Sequence, residues 1–94
     1  MPGVVRFGDI CSGHGCWVPR PNIMASTNVL VNGLGVHRAT DKWAIHACAP
    51  PHDGFAVPIG PMNVLVNGLP VAKIGDPVSC GSTMVTGSPN VMVN

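Results

Sequence analysis

Asn28-Val29-Leu30-Val31-Asn32-Gly33-Leu34 and Asn63-Val64-Leu65-Val66-Asn67-Gly68-Leu69 are the same seven residues written twice, and Asn90-Val91-Met92-Val93-Asn94 is most of a third copy. A strand-and-turn unit this short cannot bury a core alone, so the copies must pack on one another. Asn-Gly between two apolar runs is the strongest short-range signal for a tight hairpin with positive φ at both turn residues. Each second run closes on an aspartate: Val36-His37-Arg38-Ala39-Thr40-Asp41 and Val71-Ala72-Lys73-Ile74-Gly75-Asp76. The same phrase opens the chain as Val4-Val5-Arg6-Phe7-Gly8-Asp9. The third hairpin is therefore expected to be split across the termini, with residues 90–93 as its first arm, a turn at Asn94 and residues 4–7 as its second arm. Three equivalent arms in a closed chain predict one all-β domain, residues 1–94, with quasi-threefold symmetry.

Strand alternation places Val29, Val31, Val64, Val66, Val91 and Val93 on one face, expected to fill the central core, and Leu30, Leu65 and Met92 on the other. Pro70 lacks an N–H and is expected at an edge or with its missing donor turned away from the ladder. Open edges and a mildly apolar second face call for a partner that covers them.

With 94 residues, the domain lies near the lower end of what an apolar core supports alone, and reinforcement is expected. Charged residues make up only 10 % of the chain, against about 25 % in an ordinary domain, so its polar surface must come from Asn, Ser, Thr and backbone. The 12 Gly and 10 Pro punctuate Val-rich segments and read as turns. A net charge of +1, with two Trp and two Phe, offers neither the electrostatic footprint nor the stacking platform of a nucleic-acid binder. No apolar run reaches the length of a membrane helix, and the start lacks the apolar stretch of a signal peptide. Synthesis in the cytoplasm is expected, with export by some other route. In a reducing compartment Cys11, Cys16, Cys48 and Cys80 read as thiols or metal ligands rather than a disulfide frame.

Counted from the equivalent aspartates, His14 lies five residues after Asp9, His46 five after Asp41 and Cys80 four after Asp76. Three loops thus offer a metal-competent side chain at nearly the same point. His52 joins them from the longest loop, which Pro50 and Pro51 stiffen. Three imidazoles and one thiolate suit tetrahedral zinc, and structural zinc is worth roughly 10 to 16 kcal/mol, enough to pin Gly- and Pro-rich loops that have no apolar mass of their own. Cys16 and Cys48, each seven residues after its aspartate, supply a competing two-Cys, two-His set. Cys11 reads as a small buried hydrophobe, His37 as a packed or surface strand residue, and Trp17 and Trp43 as packing over the loop bases. Arg6, Arg38 and Lys73 form a basic ring, either solvated or turned to a partner, while the aspartates are expected to cap local backbone N–H groups. A zinc hydrolase needs an open coordination position and a general base, yet the chain has no Glu and four ligands already in hand, so no enzyme is expected.

The chain resembles the PAAR-repeat family, the conical tips of type VI secretion systems and contractile phage tails. The resemblance rests on Val-Asn-Gly-Leu-Pro-Val-Ala-Lys-Ile-Gly-Asp (66–76), Gly-Ser-Pro-Asn-Val-Met-Val-Asn (87–94) and the pattern of His14, His46, His52 and Cys80. The naming motif Pro-Ala-Ala-Arg is present only as Pro70-Val71-Ala72-Lys73 and Gly35-Val36-His37-Arg38. The resemblance implies a small cone with zinc-pinned loops at its apex, zinc held by three His and one Cys, and a monomer seated on a trimeric β-helical spike of the VgrG or phage central-spike type. Its work would be mechanical, capping and sharpening the spike for envelope piercing outside the cell or as part of a virion, without stable membrane insertion. A second possibility is a zinc-dependent adaptor that docks an effector toxin. Toxins in such proteins occupy extensions beyond the repeats, and no effector domain is expected here.

Overall fold

A computed structural model describes residues 1–46, 48 and 50–93, with the backbone alone of His52. The expected Asn94 turn lies outside the described residues. Among these residues there is no helix. The strands form three antiparallel pairs: β1 (Leu30–Val31) with β2 (Leu34–Gly35), β3 (Lys42–His46) with β4 (His52–Phe55), and β5 (Leu65–Val66) with β6 (Leu69–Pro70). Asn32 and Gly33 have φ of 54° and 78°, and Asn67 and Gly68 have 54° and 81°, so both Asn-Gly turns take the conformation their sequence predicts. The β3–β4 hairpin has no such turn signature and was not legible in the sequence. It carries a register irregularity between Trp43 and His46 and ends with His46 opposite His52.

Strands two residues long cannot hold themselves together. What joins them is a closed ring of backbone hydrogen bonds in which each arm donates to one neighbour and accepts from the other: Val5 to Ala72 at 3.0 Å, Ala72 to His37 at 3.0 Å, and His37 to Val5 at 2.9 Å. All three residues are 0 % exposed. Phe7, Ala39 and Ile74 form a second ring, donating to the carbonyls of Gly35, Pro70 and Gly3. The amino-terminal arm receives the same treatment as the other two. Val4 N–H donates to Val91 O at 3.0 Å as Val36 donates to Val29 at 3.0 Å and Val71 to Val64 at 3.1 Å, and Gly3 pairs with Met92.

Two apolar clusters flank the rings. Val5, Cys11, Trp43, Ala56, Ala72, Val78 and Met84 form the sealed core. Val4, Val36, Val66 and Val71, with Val31 and Val93 against them, form the other. The hairpin valines do not close over the axis as expected. Val29, Val64 and Val91 are 37 to 42 % exposed, and the valines surround an open socket of about 130 Å³.

The second repeat departs from the other two. Gly35 and Gly3 lie so close to the Ser26 and Ser88 carbonyls that a Cβ would overlap the oxygen. Ser26 and Ser88 in turn donate their N–H groups to Val36 and Val4. In the second repeat the corresponding residues are Pro70 and Pro61, which lacks that donor. Pro70 pairs with Leu65 and its carbonyl accepts from Ala39.

Buried His37 donates from Nδ1 to the Met24 carbonyl at 2.7 Å and meets Trp43 edge-on, with ring centroids 5.2 Å apart. Its Nε2 has no hydrogen-bond partner among the described residues. Burial pushes its pKa below the ordinary 6.5, outweighing the help of the Met24 carbonyl and of the Asp41 carboxylate 4.0 Å away.

Gly35→Ala is expected to lower stability by about 1–3 kcal/mol, read from the urea midpoint, because backbone must move to admit the methyl group. Acid provides a second test. The unfolded chain protonates His37 near pH 6.5 while the folded chain resists, so stability is full above that pH and falls as pH drops below it. His37→Val, matching Val5 at the equivalent position, is expected to flatten the urea midpoint between pH 6.5 and about pH 5.

Candidate functional site

The basic residues of the ring bind back onto the aspartates of their own turns. Arg6 Nε lies 3.0 Å from Asp9, Arg38 Nε 2.9 Å from Asp41, and Lys73 Nζ 3.0 Å from Asp76. Each aspartate also accepts the backbone N–H of the same basic residue, at 2.7, 2.9 and 3.1 Å, and each donates its own N–H back to that residue's carbonyl. The aspartates thus clamp three equivalent turns, the capping role read in the sequence. Burial alone would raise the Asp9 carboxyl pKa, but the hydrogen bonds from Arg6 and Thr86 overcome it and hold the value below 3.8.

These clamped turns launch the loops that carry the predicted ligands. His46 ends β3, and its Nδ1 donates to the Val18 carbonyl at 3.0 Å, which in a neutral ring makes Nε2 the lone-pair nitrogen. Cys80 Sγ lies 3.5 Å from that Nε2. Two ligands 2.3 and 2.0 to 2.1 Å from a tetrahedral zinc stand about 3.5 Å apart, so this pair fits the ion. The carbonyl on Nδ1 is the outer partner that metal-bound histidines usually have, and the sequence could not identify it. His14 meets His46 edge-on with ring centroids 5.5 Å apart, and a Cβ on Gly81, next to Cys80, would touch the His14 ring at 3.8 Å. The structure therefore brings His14, His46 and Cys80 into one region and pairs the His52 backbone with His46; the His52 side chain lies outside the described residues. Among the described residues no three His, Cys, Asp or Glu side chains converge as a metal site.

Cys11 is wholly buried in the core as expected, but its Sγ also lies 3.9 Å from His46 Nε2 and accepts the Arg20 N–H at 3.4 Å. Trp17 stacks at a tilt on His14 and donates to the Pro50 carbonyl at 3.0 Å, while Trp43 belongs to the main core.

The reading of Cys16 and Cys48 as thiols or metal ligands rather than a disulfide is overturned. Cys16 and Cys48 form a disulfide with Cα atoms 6.0 Å apart, which removes the competing two-Cys, two-His set. Their equal spacing from Asp9 and Asp41 brings two neighbouring loops to bridging distance, and spacing alone could not distinguish a shared ion from a shared bond. Cys11 and Cys80 are free thiols.

The PAAR-motif family model matches residues 10–86, most of the chain and all of these loops. The protein belongs to the PAAR-motif family. It is thereby a spike-tip-associated protein of type VI secretion or phage-like systems, from a family that is structural and binds metal. Compared with curated proteins, the chain has no significant match.

The disulfide closes a loop over a sequence separation of 32, for which chain entropy gives about 3–4 kcal/mol. Reduction of this PAAR protein is expected to lower its unfolding free energy by that amount, measured in urea with and without a phosphine reductant.

Proposed function

We propose that this PAAR protein is a zinc-stabilised tip that caps and sharpens the trimeric β-helical spike, of the VgrG or phage central-spike type, of a contractile injection machine. The observation that carries the reading is the valine socket. Val29, Val31 and Val36 come from one repeat, Val64, Val66 and Val71 from the next, and Val91, Val93 and Val4 from the third. A receptacle lined three times over by the same apolar triplet fits a partner that presents three identical ends about an axis, which is what a trimeric spike offers. Leu30, Leu65 and Met92 are 47 to 58 % exposed outside it and supply further apolar area for a broad seat.

Asparagines tie the rim of this face. Asn67 donates to Asn28 at 3.0 Å and Asn32 to Asn90 at 2.9 Å, while Arg6 and Arg38 extend from their aspartates to Asn32 and Asn67. The seat is therefore pre-shaped, and little ordering entropy is spent on docking.

At the other end of the arms His14, His46, His52 and Cys80 hold zinc. The fit of the His46–Cys80 pair supports this set, and the ion's chemistry is structural: it fixes loops that have little apolar mass. On this reading residues 1–94 act as a single domain, one copy per trimeric spike. The chain is assembled on the spike in the cytoplasm and carried out of the cell or into a virion by the machine itself. The alternative role, an adaptor for an effector toxin, finds support in a flank groove of about 680 Å³ bordered by Met1, Ile59, Pro61 and Ile74, where the second repeat departs from the others.

Titration of purified trimeric spike with the PAAR protein is expected to give one copy per trimer at micromolar affinity or better. Val64→Asp, at a half-exposed socket position that leaves folding intact, is expected to weaken binding about 100-fold, since it would bury an unpaired carboxylate. Absence of binding by the wild-type chain would overturn the spike-tip role. Metal analysis accompanies it: one zinc per chain, lost in His46→Ala and Cys80→Ala.

A further inference from the structure

We propose that the flank of the second repeat is a seat for an uncharged, extended segment of a cargo protein. The inference deepens the adaptor role given above, naming where on this chain a cargo docks and what chemistry the docked segment carries. Three equivalent straps lead into the hairpins: Met24-Ala25-Ser26-Thr27-Asn28, Ile59-Gly60-Pro61-Met62-Asn63 and Thr86-Gly87-Ser88-Pro89-Asn90.

Serine ties down the first and third straps. Ser26 Oγ accepts the N–H groups of Asn28 and Val29 at 3.3 and 3.0 Å, and Ser88 Oγ accepts those of Asn90 and Val91 at 3.3 and 2.9 Å. Each hydroxyl also donates to the asparagine side chain of its own strap, and each serine N–H donates to an arm carbonyl, of Val36 or Val4, at 2.8 Å. Pro61 has neither hydroxyl nor N–H. Among the described residues no hydrogen bond reaches the N–H of Asn63 or of Val64, the Asn63 carboxamide or the Val71 carbonyl, the groups whose equivalents the serines satisfy.

The second strap also stands away from the body. A Cβ on Gly87 would meet the Val4 carbonyl at 2.8 Å and Ile74 at 2.9 Å, whereas one on Gly60, at the same place in the second repeat, would meet nothing within 4 Å. Pro70 replaces the glycine on which the other two straps lie. Between the strap and the arm runs the groove of about 680 Å³, walled by Ile59, Pro61 and Ile74 and bordered by Asn63.

These features specify the occupant. The two charged side chains in the lining are spent on each other: Lys73 Nζ bonds Asp76 at 3.0 Å and the Ile59 carbonyl at 2.6 Å, with both side chains nearly sealed. A charged side chain entering the groove therefore finds no side-chain partner and loses its hydration. What stands open is two amide N–H groups and a carboxamide beside aliphatic walls. An extended peptide matches this set, its carbonyls accepting the N–H groups and an aliphatic side chain entering the groove. The serine-to-proline exchange occurs once, so the seat occurs once per chain and a tip carries one cargo segment through it.

The test titrates isotope-labelled full chain with acetyl-Thr-Leu-Thr-N-methylamide, a neutral strand-forming probe, and follows amide resonances. Saturable shifts centred on Ile59, Asn63 and Ile74 are expected, with a Kd on the order of 1 mM or tighter. Binding is expected to weaken at least tenfold when the probe's Leu is replaced by Asp, and again in Pro61→Ser/Pro70→Gly, which restores the serine and glycine of the other repeats. Circular dichroism checks that variant, and Asn63→Ala, whose side chain bonds nothing, serves with an expected loss of at least threefold if the double variant does not fold. No saturable shift in the wild type, shifts centred elsewhere, or equal binding by the double variant or, where it does not fold, by Asn63→Ala would overturn the seat. A concentration-dependent dimer in sedimentation that Pro61→Ser/Pro70→Gly abolishes would overturn cargo as the occupant in favour of a second copy. The spike titration is independent: its failure with peptide binding intact would remove the cap and leave the seat.

Discussion

Three peptide groups on a common axis hold this molecule together. Val5, His37 and Ala72 each give a hydrogen bond to one neighbour and take one from the other, so no arm can be removed without orphaning a buried donor and a buried acceptor in the remaining two. Hairpins of two-residue strands would not persist in isolation; closing them around a ring makes their short ladders cooperative. The side chains on the ring differ because only the backbone has to repeat. Valine, histidine and alanine fill unequal spaces, and the histidine brings a titratable group into the core as the consequence of that freedom.

Scarce charge is spent locally. Each basic residue is bound by its side chain and its own N–H to the aspartate three positions later, and each such turn is the point where an arm gives way to a loop. The same clamp is built with arginine twice and lysine once. It fixes the take-off direction of three loops that contain much glycine and proline, and the pairwise approaches of His46 to Cys80 and of His14 to His46 follow from these similar departures. Exposed ion pairs of this kind would add little stability, but here the aspartates are largely buried and their value is geometric.

Much of this architecture was legible in the chain because it repeats. Asn-Gly between β-branched runs can hardly be anything but a tight hairpin, and the aspartate register aligns the amino-terminal arm with the other two. The β3–β4 hairpin was illegible for the opposite reason: it occurs once, turns through prolines and ends at His46 opposite His52 without an Asn-Gly signal. The open socket is not legible because alternation assigns a face to the valines without saying whether three such faces meet. For the four cysteines, spacing identified Cys16 and Cys48 as equivalent, and equivalence is what brings them together, but sequence distance carries no information on whether sulfur binds sulfur or an ion. The Val18 carbonyl behind His46 belongs to the class of partners that sequence cannot reveal, since every residue has a carbonyl.

The proline-for-glycine and proline-for-serine exchanges at positions 70 and 61 have one more consequence. They leave a body whose backbone repeats every third of a revolution while its flanks do not. Set on a truly trimeric axle, such a body finds three rotational settings of nearly equal energy, and this degeneracy alone favours association by RT ln 3, roughly 0.65 kcal/mol. The odd flank then points in a different azimuth from one assembled particle to the next, so anything attached to it would be distributed over three directions without any change in the seat.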